Sequence, residues 1–462
     1  MKLVTVAQMK AIEKEADESG LSFADLMENA GRELANIIAD LPASEEEDIS
    51  VLALVGPGNN GGDALVALAH LAAQGWTARA YLVKRKVKGD ELVQRLTEMG
   101  GEILEAAKDE DWTALNEAIA EAHVLVDGLL GTGVKLPLKA DIIGVLAAAA
   151  AALDEAEESP FIVAVDCPSG VDCDNGEAAP EALPADLTVT MGAVKDGMLK
   201  FPAHDLMGEL VVVDIGLQDD LKGWASIKRQ VAEEDMVAEI LPERPPEAHK
   251  GTFGTVLIAA GSVNYTGAAY LAGVAAYRSG AGLVTMAVPA PLHNVLAGSF
   301  PEATWLLLPH EMGVISAAAA EVLSRNMERA TALLIGPGVG MEDTTRDFIA
   351  ALLDGKSASR KQHGSIGFVH EPKLRTEKER GVLPPLVLDA DGLKLLAKLA
   401  DWPKKLPALT ILTPHPGEMS VLTGLSVDDI QADREGIAAR FAKEWGQIVV
   451  LKGAFTVIAG PD

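Results

Sequence analysis

The sequence predicts a two-domain α/β protein whose first half is a Rossmann-like, doubly wound parallel sheet, and three observations carry that expectation. Short apolar runs of strand length alternate with amphipathic helical stretches along the chain. The run 49–55 ends at Gly56-Pro57-Gly58-Asn59-Asn60-Gly61-Gly62-Asp63 and opens an Ala/Leu-rich helical pattern, which is the strand, glycine loop and helix of a nucleotide-binding unit. At 462 residues the chain exceeds one ordinary hydrophobic core, so two domains are expected.

In chain order, two amphipathic helices (5–16 and 22–41) precede strands at 49–55, 78–83, 124–126, 161–165, 187–191 and 210–213. The apolar faces of both helices read first as core packing and second as an oligomer or domain interface. Ligands of doubly wound sheets bind beyond the carboxyl ends of the strands, so the residues following each strand should converge. Asn59, Asn60 and Asp63 follow the first strand, Asp127-Gly128-Leu129-Leu130-Gly131-Thr132-Gly133 the third, and Asp166-Cys167-Pro168-Ser169-Gly170 the fourth. A single strand-end aspartate is ordinarily a cap or turn former, but three on one edge favour chemistry. Asp127 or Asp166 suits a general base, and the set equally suits oxygen ligation of a cation. The glycine loop and the first amides of its helix favour an anion.

Gly56, Gly58 and Gly61 also satisfy the dinucleotide spacing, yet the strand 78–83 runs into Lys84-Arg85-Lys86 where an NAD-type site wants an acid. Those bases suit a phosphorylated dinucleotide, or are simply a solvated turn. The formal charge of −29 argues against a nucleic-acid partner. Cys167 and Cys173 are the two cysteines, too few for a disulfide scaffold and in keeping with a reducing compartment. The amino terminus lacks the apolar core of a signal peptide, and no apolar run reaches membrane-spanning length, so a soluble cytoplasmic protein is expected.

The proline-rich connector 241–247, preceded by a short acidic helical segment at 232–241, separates the halves. The boundary is expected near Asp219, giving domains 1–219 and 220–462 with the helical segment in the second. Strands recur at 255–260, 333–335, 386–388, 409–412 and 448–451, ending respectively at Gly261-Ser262, Gly336-Pro337-Gly338, Asp389-Ala390-Asp391-Gly392, Thr413-Pro414-His415-Pro416-Gly417-Glu418 and Lys452-Gly453. His415 between prolines is rigidly presented. The stretch 354–381 reads as a polar surface insertion.

The three strand-end motifs of the first half together resemble the NAD(P)H-hydrate epimerase family over nearly all of residues 1–217. The resemblance implies epimerisation of hydrated NADH or NADPH at an enzyme that binds potassium. By motif position, Asn60, Asp127 and Ser169 would hold the ion. Asn59, Asn60, Gly61, Gly62, Asp63, Gly131, Thr132, Gly133, Val134, Lys135, Leu136, Pro137 and Asp166 would hold the substrate, with Asp127 or Asp166 as acid/base. Ala64 stands where that family usually has a further glycine.

From about Glu233 onward the chain resembles the ADP- or ATP-dependent NAD(P)H-hydrate dehydratases of the ribokinase-like superfamily. That resemblance implies phosphorylation of the ring hydroxyl, its loss as phosphate, and magnesium accompanying the nucleotide. Ala268, Gly338 and His415 would contact the hydrated cofactor, and Lys452, Gly453, Ala454 and Phe455 the nucleotide. The family's closing Gly-Thr-Gly-Asp turn is not found before Gly460-Pro461-Asp462, so either the sequence is truncated or the dehydratase half is inactive as it stands. The resemblance also favours a homo-oligomer. Alternatives are a ribokinase-like small-molecule kinase fused to a noncatalytic Rossmann-like interaction module and, more weakly, an NADP-dependent dehydrogenase.

Overall fold

Thr5 and Ser22 start the two amino-terminal helices by the same device, each hydroxyl accepting from the backbone N–H three residues on while that residue's side chain returns to the cap N–H. These helices, α1 (Val6–Glu18) and α2 (Phe23–Ala39), follow a short strand β1 (Leu3–Val4). The computed structural model describes residues 1–41, 49–355 and 383–462, so the insertion expected at 354–381 lies, beyond Gly355, outside the described residues. The chain divides into two compact units, Met1–Pro242 and Glu243–Asp462.

In the first unit the alternation continues through β2 (Ser50–Val55), α3 (Asn59–Ala73), β3 (Thr77–Leu82), α4 (Glu91–Glu98), β4 (Glu102–Glu105), α5 (Thr113–Ala120), β5 (Val124–Gly128), α6 (Ala140–Glu155), β6 (Phe161–Val165), β7 (Leu187–Met191), β8 (Val194–Lys195) and β9 (Glu209–Val213). The main sheet has the order β4-β3-β2-β5-β6-β7-β9, parallel throughout. Its central strands are apolar without alternation because helices cover both faces. One face packs against α1, α2 and α3 around Leu34, Ile38 and Leu68; the other packs against α5 and α6 around Ile119 and Leu146. The strand order reverses between β2 and β5, the switch point at which such sheets open a crevice. Strand β4, unforeseen in the sequence, is an edge strand with glutamates at both ends, and β8 pairs with β1 in a separate two-stranded sheet.

The boundary expected near Asp219 is corrected to Pro242/Glu243. The segment after β9, with α7 (Lys222–Ser226) and α8 (Glu234–Ile240), folds back on the first unit. Glu15 accepts the Lys222 and Gly223 amides at 2.9 and 2.8 Å, Leu3 N–H donates to Arg229 O at 3.0 Å, and Leu221 is buried. Composition marked the proline cluster, but these contacts lie ahead of it.

The second unit contains β10 (Thr255–Ala259), β11 (Leu283–Pro289), β12 (Thr304–Leu308), β13 (His310–Glu311), β14 (Val314–Ile315), β15 (Ala332–Ile335), β16 (Leu386–Leu388), β17 (Ile411–Leu412), β18 (Ile448–Leu451) and β19 (Val457–Ala459). Its sheet runs β12-β11-β10-β15-β16-β17-β18-β19, parallel except for β19. The direction of connection reverses between β10 and β15. Strands β11, β12 and β19 escape a reading that follows glycine turns, since β11 leads directly from Pro289 into the helix Ala290–Leu296. The strand expected from 409 begins at Ile411, with Leu409 turned to φ +57°.

Candidate active sites

Two glycines of the turn from β2 into α3 are required by close approach. A Cβ on Gly56 would overlap the Leu129 carbonyl oxygen, and one on Gly61 would overlap the Gly56 carbonyl. Neither has a positive φ, whereas a Cβ on Gly58 would meet nothing within 4 Å. The loop after β2 thus stacks directly on the loop after β5. Ala64 lies inside α3 and is buried, where a methyl group suits a helix packed on a sheet.

This stacking gathers Asn60, Asp127 and Ser169 around the backbone of Leu130. Asn60 Nδ2 donates to Leu130 O at 3.0 Å, and Leu130 N–H donates to Ser169 Oγ at 2.8 Å. Ser169 Oγ and N–H in turn donate to the two Asp127 carboxylate oxygens at 2.5 and 2.7 Å. Asp127 is 1% exposed and has no ion-pair partner among the described residues. Burial raises its carboxyl pKa, opposed by the hydrogen bonds from Ser169 and Leu129.

Asp166 occupies a different position. It takes φ +61°, a costly conformation for a non-glycine residue, at the end of β6. Its Oδ1 accepts from Lys195 Nζ at 2.5 Å, Thr190 Oγ1 at 2.9 Å and Met191 N–H at 3.3 Å. Lys195 is 1% exposed and also donates to Thr190 Oγ1 and Met191 O. A buried ammonium held this way makes a rigid charged pair.

The pair opens onto a cavity of about 400 Å³ at the switch point, lined by Lys10 and Glu13 of α1, Met27 of α2, Pro57 to Asn60, Asp63, Leu129 to Val134, Asp166 and Lys195. Asn59, Asn60, Asp63, Gly131, Thr132, Gly133, Val134 and Asp166 therefore meet at one cavity. Gly61 and Gly62 pack against Gly56 and Met27 instead. Asp127 and Ser169 sit outside the lining, and so do Lys135, Leu136 and Pro137.

Lys195, Glu13 and Lys10 escaped sequence reasoning. The strand-end rule could have found Lys195, which follows β7 by four residues, but Glu13 has only the signature of a helix surface. Burial raises the Asp63 carboxyl pKa well above the ordinary range, and the charges of Asp166 and Glu13 push it further. Burial likewise raises Glu13. The cavity thus sets an ion-paired carboxylate beside a carboxyl biased towards its protonated form.

In the second unit the foreseen residues again line one strand-end edge. A Cβ on Gly338, at φ +65°, would press on Ala268 and Tyr265, so the turn after β15 lies against the start of the helix Thr266–Arg278. Lys452, after β18, donates to Asp389 Oδ1 at 2.7 Å, and Thr413 Oγ1 donates to the same oxygen at 2.8 Å. His415 caps the helix Pro416–Thr423 through Nδ1, while its Nε2 lies 3.3 Å from buried Glu418. Lys452 is 3.8 Å from the other Glu418 oxygen. Gly453 packs beside Arg434, which donates to Phe455 O at 3.1 Å, and Ala454 is exposed. Gly338, Asp389, His415 and Lys452 thus follow the adjacent strands β15, β16, β17 and β18.

Residues 23–197 match the family described as YjeF-related protein N-terminus, and residues 256–462 match the family described as NAD(P)H-hydrate dehydratase. The chain is 34% identical to a bifunctional NAD(P)H-hydrate repair enzyme of Moorella thermoacetica over 471 residues, covering 100% of this chain and 82% of that relative. This chain belongs to the bifunctional NAD(P)H-hydrate repair enzyme family. A second member, from Thermofilum pendens, is 33% identical, again over 100% of this chain and 82% of its own length. A crystal structure of the ADP/ATP-dependent NAD(P)H-hydrate dehydratase from Bacillus subtilis, co-crystallised with ATP/Mg2+, is 32% identical and covers 50% of this chain and 69% of that one, with a TM-score of 0.38.

Proposed function

We propose that this member of the repair-enzyme family epimerises hydrated NADH and NADPH in its first unit and dehydrates the S epimer in its second, consuming ADP or ATP. The observation that carries the first activity is the Asp166–Lys195 pair beside Asp63 in one cavity at the switch point. Epimerising a carbon that bears a hydroxyl beside the ring nitrogen proceeds by loss and return of the hydroxyl or by ring opening. Either route needs one group that takes a proton and one that gives it. Asp166 is the acceptor in this reading, positioned by Lys195 and Thr190, and Asp63 is the donor. Asp127, closed off by Ser169, is assigned to structure and ion binding.

Asn60, Asp127, Ser169 and the Leu130 carbonyl supply hard oxygen donors around a buried carboxylate, a set that fits potassium. The ion would supply charge compensation that organises the two stacked loops. In the second unit Asp389 and Glu418 flank Lys452 and suit magnesium arriving with the nucleotide phosphates. The strand-end row Gly338, His415, Lys452 supports placing hydrated cofactor and nucleotide along that edge. Two neighbouring free thiols, Cys167 and Cys173, support a reducing compartment such as the cytoplasm.

Incubating separated NADPH-hydrate epimers with the protein in potassium buffer tests the reading by chromatography. Interconversion without nucleotide, and NADPH formation on adding ADP or ATP with magnesium, are the expected results. Absence of both rejects the assignment, and interconversion alone confines the activity to the first unit.

A further inference from the structure

Three carboxyl groups meet at the switch-point cavity, Glu13 from α1, Asp63 from α3 and Asp166 from the end of β6. A proton donor and a proton acceptor account for two of them, Asp63 and Asp166. Asp166 is held by Lys195, Thr190 and the Met191 amide. Glu13 and Asp63 make no side-chain hydrogen bond or ion pair among the described residues. Glu13 is half-buried beside exposed Lys10 and Lys14 on α1, whereas the residues on either side of Asp63 and Asp166 are buried. Burial raises the Glu13 carboxyl pKa, the Lys195 ammonium opposes that rise, the Asp166 carboxylate adds to it, and Lys10 opposes it again. The charge of Glu13 in turn raises Asp63. Glu13 thus lies within electrostatic reach of donor and acceptor alike, on a helix that meets solvent.

The two chemical routes leave donor and acceptor in different states. In ring opening the C–N bond breaks, the hydroxyl proton passes to the acceptor and the ring nitrogen takes the donor's proton. Closure on the other face reverses both transfers, so each group recovers its own proton. In hydroxyl loss the C–O bond breaks with its electron pair, the oxygen takes the Asp63 proton and departs as water, and the nitrogen lone pair forms a C=N bond. Water then adds to the other face, that pair returns to nitrogen, and the released proton goes to Asp166. Asp63 is left ionised and Asp166 protonated, so a second turnover in the same direction needs the proton moved back. A third carboxyl beside both has work only in this second route.

We infer that epimerisation proceeds by loss and return of the hydroxyl, and that Glu13 carries the proton from Asp166 back to Asp63 after each turnover. The inference rests on the epimerase reading of this cavity. Each transfer runs directly or through one water, and the half-buried position of Glu13 also lets it exchange its proton with solvent.

The test uses the full chain and separated NADPH-hydrate epimers in water enriched in the heavy oxygen isotope. Every inverted molecule should carry a solvent oxygen at the ring hydroxyl. Inversion without label means ring opening, which overturns the inference and leaves the enzyme assignment standing. Glu13→Gln should keep the rate of the first turnover, measured with enzyme in excess, and lower kcat about 100-fold, so that product appears as a burst. Millimolar formate, a small carboxylic acid that can enter the cavity, should restore kcat in this variant and leave the wild type unchanged. Glu13→Asp, which keeps the carboxyl, should recover much of kcat without formate. A first turnover slowed as much as kcat, with no rescue by formate, means that Glu13 only shapes the cavity and overturns the relay, as does an unchanged kcat. A wild type that epimerises neither hydrate overturns the epimerase reading itself.

Discussion

At the scale of single residues, Asp166 and Lys195 are unequal partners, because the ammonium is 1% exposed and the carboxylate 14%. Asp166→Asn strands a buried charge and should cost about 3 kcal/mol of stability, whereas Lys195→Met leaves a carboxylate still bonded to Thr190 and should cost less. Both should lower epimerisation about 100-fold or more, read as kcat with urea melts alongside. Asp63 gives a pH prediction. Its folded pKa is raised, so any stability tied to its protonated form is present at low pH and lost as pH rises through that value. Epimerase activity should fall as pH rises through that value, and Asp63→Asn should remove the alkaline loss of stability while lowering the activity about 100-fold. A pH–rate profile whose alkaline limb survives that substitution, on residual activity, removes Asp63 from the mechanism. Sequence alone put Asp127 and Asp166 on an equal footing; burial and the φ of Asp166 separated them.

At the scale of elements, the start of α3 depends on close backbone approach within the turn from β2. Gly61→Ala pushes a methyl group into the Gly56 carbonyl, which a packed sheet edge cannot yield, so a loss of about 1–3 kcal/mol and of epimerase activity is expected. Gly58→Ala has open space and an ordinary φ of −91° at the helix cap, and should be nearly silent. Thermal melts of the two variants check the contrast, and equal effects would mean that close backbone approach is not what fixes Gly61. The glycine pattern was legible in the sequence, but which glycines are indispensable was not, since Gly56 is fixed by Leu129 in a distant loop and Gly61 by the way its own turn folds back on the Gly56 carbonyl.

For the whole molecule, each unit has its own cores, so the first should fold by itself and epimerise without nucleotide. The end point matters. A fragment 1–242 keeps buried Leu221 and the Glu15 contacts, while 1–219 loses them and should be less stable by at least about 2 kcal/mol in urea unfolding. Equal stability of the two fragments would restore the earlier boundary.

The amino-acid sequence by itself determined the alternation of strands and helices, the glycine loop and the acids that close β2, β5 and β6, because strand ends carry local signatures of composition and spacing. Only the tertiary structure decided which of those acids faces the cavity, which lysine is buried against it, and that a helix near the amino terminus contributes Glu13. A buried lysine and a surface lysine are the same letter. Their difference arises when β7 and β8 bring Lys195 beneath Asp166, a distance of 29 residues that no local pattern records.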